Sequence, residues 1–322
     1  MLKPIRLRDF VMADNCFFSV VGYRNESSVK AFLRYIPSMN GDRSRNGKTY
    51  RKLMHEEAIE YALNSGMKYY DMNSGIFLIP HSEIQEVFKP EERIAQIGDK
   101  EVKRIVDFFG MPLNKMGVTG SRLIGLESDE SDVDFVMYGN YWFRGQEKIQ
   151  RGIERGKLSE PSQEMWEFIY SKRKVNIPFD LFLAHEMRKY HRAVIGNTYF
   201  DLLYVRDYDE LNRQIPEEKG VKKEKITIRA ELVDDRYVFD YPAFYPVKHH
   251  SIEAVLSYTH TYVGQAKRGE TLEARGVVEE IKGGYYLIVG TSREVEDEYI
   301  LSLNLIEHES LQESYRNWRE SI

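Results

Sequence analysis

Apolar and polar positions alternate differently in three successive stretches of the chain. Residues 1–95 read as a β-rich module. Residues 16–23 and 31–36 are apolar runs of strand length, and Asn25-Glu26-Ser27-Ser28 between them is a turn signal. Over residues 55–64 the period changes, because Ala58, Ile59 and Ala62 share a helical face. Pro90-Glu91-Glu92-Arg93 reads as a link to the next domain. Residues 96–207 open with a well-marked helix. Asp99 can cap it, Val102, Ile105, Val106 and Phe109 fall at helical spacing, and Gly110 stops it. Strands follow at 115–119 and 132–138, helix over much of 143–172, then strands at 177–184 and 199–205. From residue 208 the chain turns strand-rich again. Residues 226–233 and 237–245 flank an Asp234-Asp235 turn, 251–262 predict a helix, and 272–303 predict strands. The expected fold class is α+β, with a helix-containing central domain (96–207) between N-terminal (1–95) and C-terminal (208–322) β-rich accessory domains.

The two ends share a faint repeat. Phe17-Phe18-Ser19-Val20-Val21-Gly22 resembles Tyr285-Tyr286-Leu287-Ile288-Val289-Gly290, and at the same offset Ala31-Phe32-Leu33 meets Tyr299-Ile300-Leu301. A duplicated β unit and chance convergence of two hairpins both account for it.

Composition narrows the class of protein. At 42% hydrophobic and 30% charged, the 322 residues suit two or three soluble globular domains. A net charge of -5 restricts any nucleic-acid contact to a local patch. Cys16 is the one cysteine, so no intrachain disulfide forms; beside Phe17 it reads as a small buried apolar side chain, and a reducing cytoplasm is the expected location. The first residues carry no apolar signal core, and no run of about 18 apolar residues predicts a membrane span. The 22 tyrosines and many charges hint at a heat-adapted source.

The chemistry concentrates in the segment from Gly117 to Gly139. Gly120-Ser121, between a strand and a helix, offers free backbone N–H groups, close approach and a hydroxyl donor to a nucleotide's phosphates. On a strand at Asp132-Val133-Asp134, alternation sends both carboxylates one way while Val133 and Phe135 enter the core. Two such carboxylates repel when ionised unless a divalent cation lies between them. Asp180 interrupts the apolar run 177–184 and there needs a partner. Asp129 and Glu130 read as solvated turn residues.

These residues resemble the DNA polymerase beta superfamily of nucleotidyltransferases. That pattern is Gly-Ser, roughly ten residues, Asp-x-Asp, and a third Asp on a later strand; residues 98–206 carry it through Gly120-Ser121, Asp132-Val133-Asp134 and Asp180. The flanking regions look like those of archaeal predicted nucleotidyltransferases and imply no substrate. The resemblance implies a small mixed sheet backed by helices and transfer of a nucleoside monophosphate from an NTP such as ATP, releasing pyrophosphate. Asp132, Asp134 and Asp180 would be the catalytic, metal-binding residues. Asp132 and Asp134 would hold two Mg²⁺ (or Mn²⁺) ions, and Asp180 would bind the one that activates the acceptor hydroxyl. Gly120 and Ser121 would hold the β and γ phosphates. The expected acceptor is an RNA 3′ end; the alternatives are AMP transfer to a protein hydroxyl and a non-catalytic nucleotide- or RNA-binding protein.

Other features suit either function or solubility. Arg144, Lys148, Arg151 and Arg155 share a helix face that would steer triphosphate or RNA, or simply be solvated. Lys172-Arg173-Lys174 would reach a γ-phosphate or serve as a solubilising cluster. His249-His250 and His260 lack the cysteines of a zinc site and read as surface or packed histidines. Phe17-Phe18 and Tyr285-Tyr286 would stack bases if the end domains are small barrels, or place one ring of each pair in a core.

Overall fold

Pairing of the apolar runs gives three sheets in a computed structural model that describes residues 3–128, 131–290, 297–307 and 309–321. Asp129 and Glu130 lie outside the described residues. The chain contains both helices and strands and divides into two units: 1–158 with 193–213, and 159–192 with 214–322. The N-terminal β-rich region and the Asp-x-Asp region therefore share one unit, and the C-terminal region takes in residues 159–192.

In the first unit the strands are β1 (Phe10–Ala13), β2 (Cys16–Val20), β3 (Ser28–Pro37), β4 (Arg43–Arg45), β5 (Lys48–Lys52), β6 (Tyr70–Asp71), β7 (Ile76–Pro80) and β8 (Glu86–Phe88). They form an eight-stranded sheet in the order β4-β5-β3-β2-β1-β8, with β7 on β3 and β6 on β7. Helix α1 (His55–Ser65) buries Ala58 and Ala62, the face its period predicts, in a core with Phe18, Leu33 and Phe77. Cys16 lies in that core too, and burial pushes its thiol up to about 12. The opposite face carries Phe10, Phe17, Tyr35, Tyr50 and Phe88 against Leu123, Ile124 and Leu126.

Pro90–Arg93 is a helix, α2, and not a linker. Proline at the first helical position and acids in the first turn are helix-start signals. Glu91 is buried beneath it, 3.3 Å from the equally buried Arg6, and accepts from Tyr138 (2.9 Å) and Tyr208 (2.6 Å). Against the opposing effect of burial, Arg6 and these hydroxyls hold the Glu91 carboxyl down to about 2.

Helix α3 (Lys100–Phe109) starts and stops where its signals stand: Asp99 accepts from the Glu101 N–H at 2.7 Å, and Gly110 takes a φ of 52°. Next come β9 (Met116–Val118), α4 (Gly120–Ile124), β10 (Val133–Tyr138) and α5 (Asn140–Glu154). With β11 (Arg192–Ile195) and β12 (Thr198–Val205) they give a four-stranded sheet, β11-β12-β10-β9, in which β10 and β12 are parallel. Phe109 of α3 stacks on Phe135 at 5.3 Å, and Trp142 of α5 donates to the Leu202 carbonyl at 3.2 Å. Residues 143–172 are largely helical, as expected, in two helices: α5 ends at Glu154, and α6 (Gln163–Arg173) begins in the second unit.

The second unit corrects two further expectations. Residues 177–184 are not a strand but most of helix α7 (Phe179–Met187). Periodicity cannot separate a short apolar run in a buried helix from a strand, and here Pro178 precedes the first turn. Residues 251–262 are not a helix. Ala254–Ser257 is a strand, β15, every residue of which is buried, so its pattern shows no alternation. The other strands are β13 (Val221–Leu232), β14 (Ala243–Lys248), β16 (Thr271–Ile281), β17 (Gly284–Val289) and β18 (Tyr299–Ser302), followed by α8 (Glu309–Ser321). Strand order β13-β14-β15-β17-β16 returns to β13 and closes a five-stranded barrel, with β18 added on β16.

The end-to-end repeat is a coincidence. β2 pairs directly with β3, whereas among the described residues β17 and β18 do not pair with each other: both lie along one edge of β16, at different positions, and β13 takes the other edge.

Candidate metal and nucleotide site

The site is built where β9 ends and β10 runs beside it. Thr119 closes β9, its N–H donating to the Asp134 carbonyl at 3.0 Å and its hydroxyl to the Arg8 carbonyl at 2.7 Å. Gly120 then adopts a φ of 70°, where an L side chain is strained. A Cβ on Gly120 would stand 2.7 Å from Oδ2 of Asp134, so the glycine is what lets this turn lie against the carboxylate. Helix α4 has only five residues, so its dipole is slight; the turn itself supplies the donors.

Asp134 is half-buried on β10 between Val133 and Phe135, both fully buried. Asp132 is exposed on the chain just before the strand. Arg122 holds that approach, donating to the Ser131 carbonyl at 2.6 Å and the Asp132 carbonyl at 3.3 Å while it pairs with Asp99 and Glu101. Its role is to position the loop that carries Asp132, a role its place after Ser121 does not announce.

The carboxylate beside Asp134 on the neighbouring strand is Asp201, not Asp180. Parallel pairing of β10 and β12 puts Asp201 in register with Asp134, and directly opposed residues share a face. Tyr199 donates to Asp201 at 2.8 Å. Asp180 belongs to the second unit, in the first turn of α7, where it accepts from Ser314 of α8 at 2.8 Å and from the Leu181 N–H at 2.9 Å. Both acids interrupt apolar runs. The signals that separate them are Pro178, which starts a helix, and Gly196-Asn197, which turns a hairpin into Tyr199-Phe200-Asp201.

Charge converges on Asp134. Burial, then the negative charges of Asp132 and Asp201, push its carboxyl up to about 6, against the pull of Arg8 and Arg34. Arg34 owes its direction to a bulge. Phe17 pairs with Tyr35 but Phe18 with Leu33, so Arg34 is the extra residue on β3. The next residue, Tyr35, packs with Leu123 and Ile124 of α4, and its hydroxyl lies near enough to feel Ser121 and Asp134. No local signal in the sequence marks Arg8, Arg34 or Tyr35, because residues distant in the chain bring them here.

The donor set suits a hard divalent cation: carboxylate oxygens whose mutual repulsion such an ion relieves. Among the described residues, however, no three His, Cys, Asp or Glu side chains are arranged as they stand to hold a metal ion. Asp201 is turned to Tyr199 and Asp132 to solvent.

The other expected features have mostly structural roles. Lys148 donates to the Phe109 carbonyl at the end of α3, and Arg151 pairs with Glu147. Arg173 donates to the His260 carbonyl at 3.4 Å. His249 and His250 are in ring contact at 4.2 Å, and His260 stacks on Tyr241. Phe17 and Phe18 are buried in opposite cores and cannot stack on bases; Tyr285 is exposed, and Tyr286 donates to Glu253. No helix among the described residues is long and apolar enough to cross a membrane.

The chain matches no family model and no solved structure. It is 32% identical to the uncharacterized protein MJ1086 of Methanocaldococcus jannaschii, over 92% of this chain and 98% of that protein. Similarity at that level along nearly the whole of both chains makes them relatives, and this chain belongs to the family of that archaeal protein.

Proposed function

We propose that the chain is a metal-dependent nucleotidyltransferase that moves a nucleoside monophosphate from an NTP to an acceptor hydroxyl, with an RNA 3′ end as acceptor. The observation that carries the reading is the placement of Asp134, Asp201 and Asp132 beside the Gly120-Ser121 turn, with the Asp134 carboxyl pushed up to about 6 by burial and then by its neighbours' charge. Asp132, Asp134 and Asp201 would hold the metal, after Asp132 and Asp201 rotate toward Asp134. Bound there, a pair of Mg²⁺ ions stabilises charge on the attacking and leaving oxygens. Gly120 leaves room for the β and γ phosphates, and Ser121 offers them its hydroxyl. Arg8 and Arg34 balance the triphosphate's charge. Asp201, once turned from Tyr199 toward Asp134, takes the acceptor proton.

The absence of a ready three-ligand arrangement among the described residues favours a second reading, a nucleotide-binding protein that does not catalyse. Incubation with each α-labelled NTP, Mg²⁺ and total RNA or total protein separates them. Label in RNA that disappears in Asp134→Asn supports the proposal. Label in protein alone supports AMP transfer to a protein hydroxyl instead. Nucleotide binding without transfer to either acceptor leaves the non-catalytic reading.

A further inference from the structure

Basic residues are unevenly spread over this acidic chain. Between residues 34 and 52 stand Arg34, Arg43, Arg45, Lys48, Arg51 and Lys52, with Asp42 as the one acid. The strand register sorts them. Arg43 opposes Tyr50, Arg45 opposes Lys48, and Lys52 opposes Tyr35, so four cations share the sheet face that bears Tyr35 and Tyr50. That face packs on α4, the helix that follows the Gly120-Ser121 turn. Arg45 is committed to this packing; it donates to the Ile124 carbonyl at 2.5 Å and lies over Phe88 at 4.7 Å. Lys48 and Lys52 are exposed.

The cations lead toward the carboxylates. Tyr35 and Tyr50 pack against Leu123 and Ile124 of α4, the helix that Gly120-Ser121 begins, and the charge of Arg34, next to Tyr35 on β3, acts on Asp134. Lys52 lies one strand away from Tyr35, about 5 Å across the sheet, and Lys48 about 13 Å further along β5. This edge of the sheet, β3-β5-β4, is thus a cationic track running from open solvent to the Gly120-Ser121 turn.

We propose that this track binds the phosphodiester backbone of an RNA strand and brings its end to Asp134. The inference rests on the nucleotidyltransferase reading for the role of the site, but the binding surface is testable without it. Phosphate contacts by Lys and Arg release counterions, so affinity falls with salt, by about 0.7 in the log–log slope for each single-strand phosphate neutralised. A fluorescently labelled single-stranded RNA of about 20 nucleotides would be titrated without NTP or divalent cation, at several salt concentrations. The double variant Lys48→Glu/Lys52→Glu should bind at least about tenfold more weakly at low salt, with a slope reduced by about 1.4. Lys48→Arg/Lys52→Arg should bind like the wild type. In a transfer assay the Glu variant should raise KM for RNA and leave KM for NTP unchanged. No binding by the wild type, or equal affinity and slope in wild type and Glu variant, overturns the inference. RNA bound through Lys48 and Lys52 without transfer supports the surface and refutes the transfer reading. Transfer to another acceptor without RNA binding does the reverse.

Discussion

Replacing Asp134 by Asn should make the protein more stable at neutral pH, although it damages the proposed site. The native carboxyl titrates at about 6 against an ordinary 3.8, because burial and the charges of Asp132 and Asp201 disfavour its ionised form. The native state therefore holds this proton to a higher pH than the unfolded chain does. Stability from this group is full below the unfolded value and is lost as pH rises through the native one. The rise from 3.8 to about 6 corresponds to about 3 kcal/mol, and water at the half-buried carboxylate screens part of it, leaving about 1–3 kcal/mol. Asparagine is nearly the same shape and does not titrate. The difference between Asp134→Asn and wild type should be near zero at pH 3.5, open between about pH 4 and 6, and level off at about 1–3 kcal/mol by pH 7.5. Urea unfolding at those pH values measures it. Trp142 is the tryptophan of the first unit, so a background of Trp166→Phe and Trp318→Phe makes fluorescence report on it. A difference that does not change with pH, or a variant less stable than wild type at pH 7.5, would refute the electrostatic argument.

Three other outcomes follow from the same geometry. Gly120→Ala should cost about 1–2 kcal/mol from the left-handed φ and weaken binding of Mn²⁺-ATP through crowding at Asp134, read by thermal unfolding and calorimetry; wild-type values for both would free the turn from this constraint. Glu91→Gln takes the nearest carboxylate from the buried Arg6, leaving Asp207 at 3.9 Å, and should cost about 3–5 kcal/mol at pH 7, with the gap narrowing as pH falls from 4.5 toward 2, where wild-type Glu91 takes up its proton; a loss under 1 kcal/mol in urea unfolding would contradict the buried pair. Cys16 should resist a thiol reagent in native buffer and react once the chain unfolds, and complete labelling within minutes of the native protein would show that it is not in the core.

The sequence was legible where local chemistry decides the structure. Asp99 and Gly110 mark both ends of α3, and the alternation around Asp134 puts Val133 and Phe135 in the core. It misled where burial erases period. Ala254–Ser257 is buried on both faces and Phe179–Met187 is apolar around most of its first turns, so neither shows the alternation that separates strand from helix. That ambiguity moved the third acid to Asp180 when Asp201 stands in register with Asp134. The arginines beside the carboxylates were beyond reach for another reason. Arg8 is placed by a hydrogen bond to Thr119, 111 residues away, and Arg34 by a bulge that only strand pairing reveals.

The central claim is that Asp132, Asp134 and Asp201 together hold a divalent cation. Electron paramagnetic resonance of Mn²⁺, titrated with and without ATP at pH 7.5, tests it directly. The wild type should bind Mn²⁺ more tightly when ATP is present. Asp134→Asn and Asp201→Asn should each weaken binding by about tenfold or more, Asp132→Asn should weaken it as well, and Asp180→Asn should leave it unchanged. Binding that survives loss of Asp134 and Asp201, or that is lost with Asp180, would contradict the account.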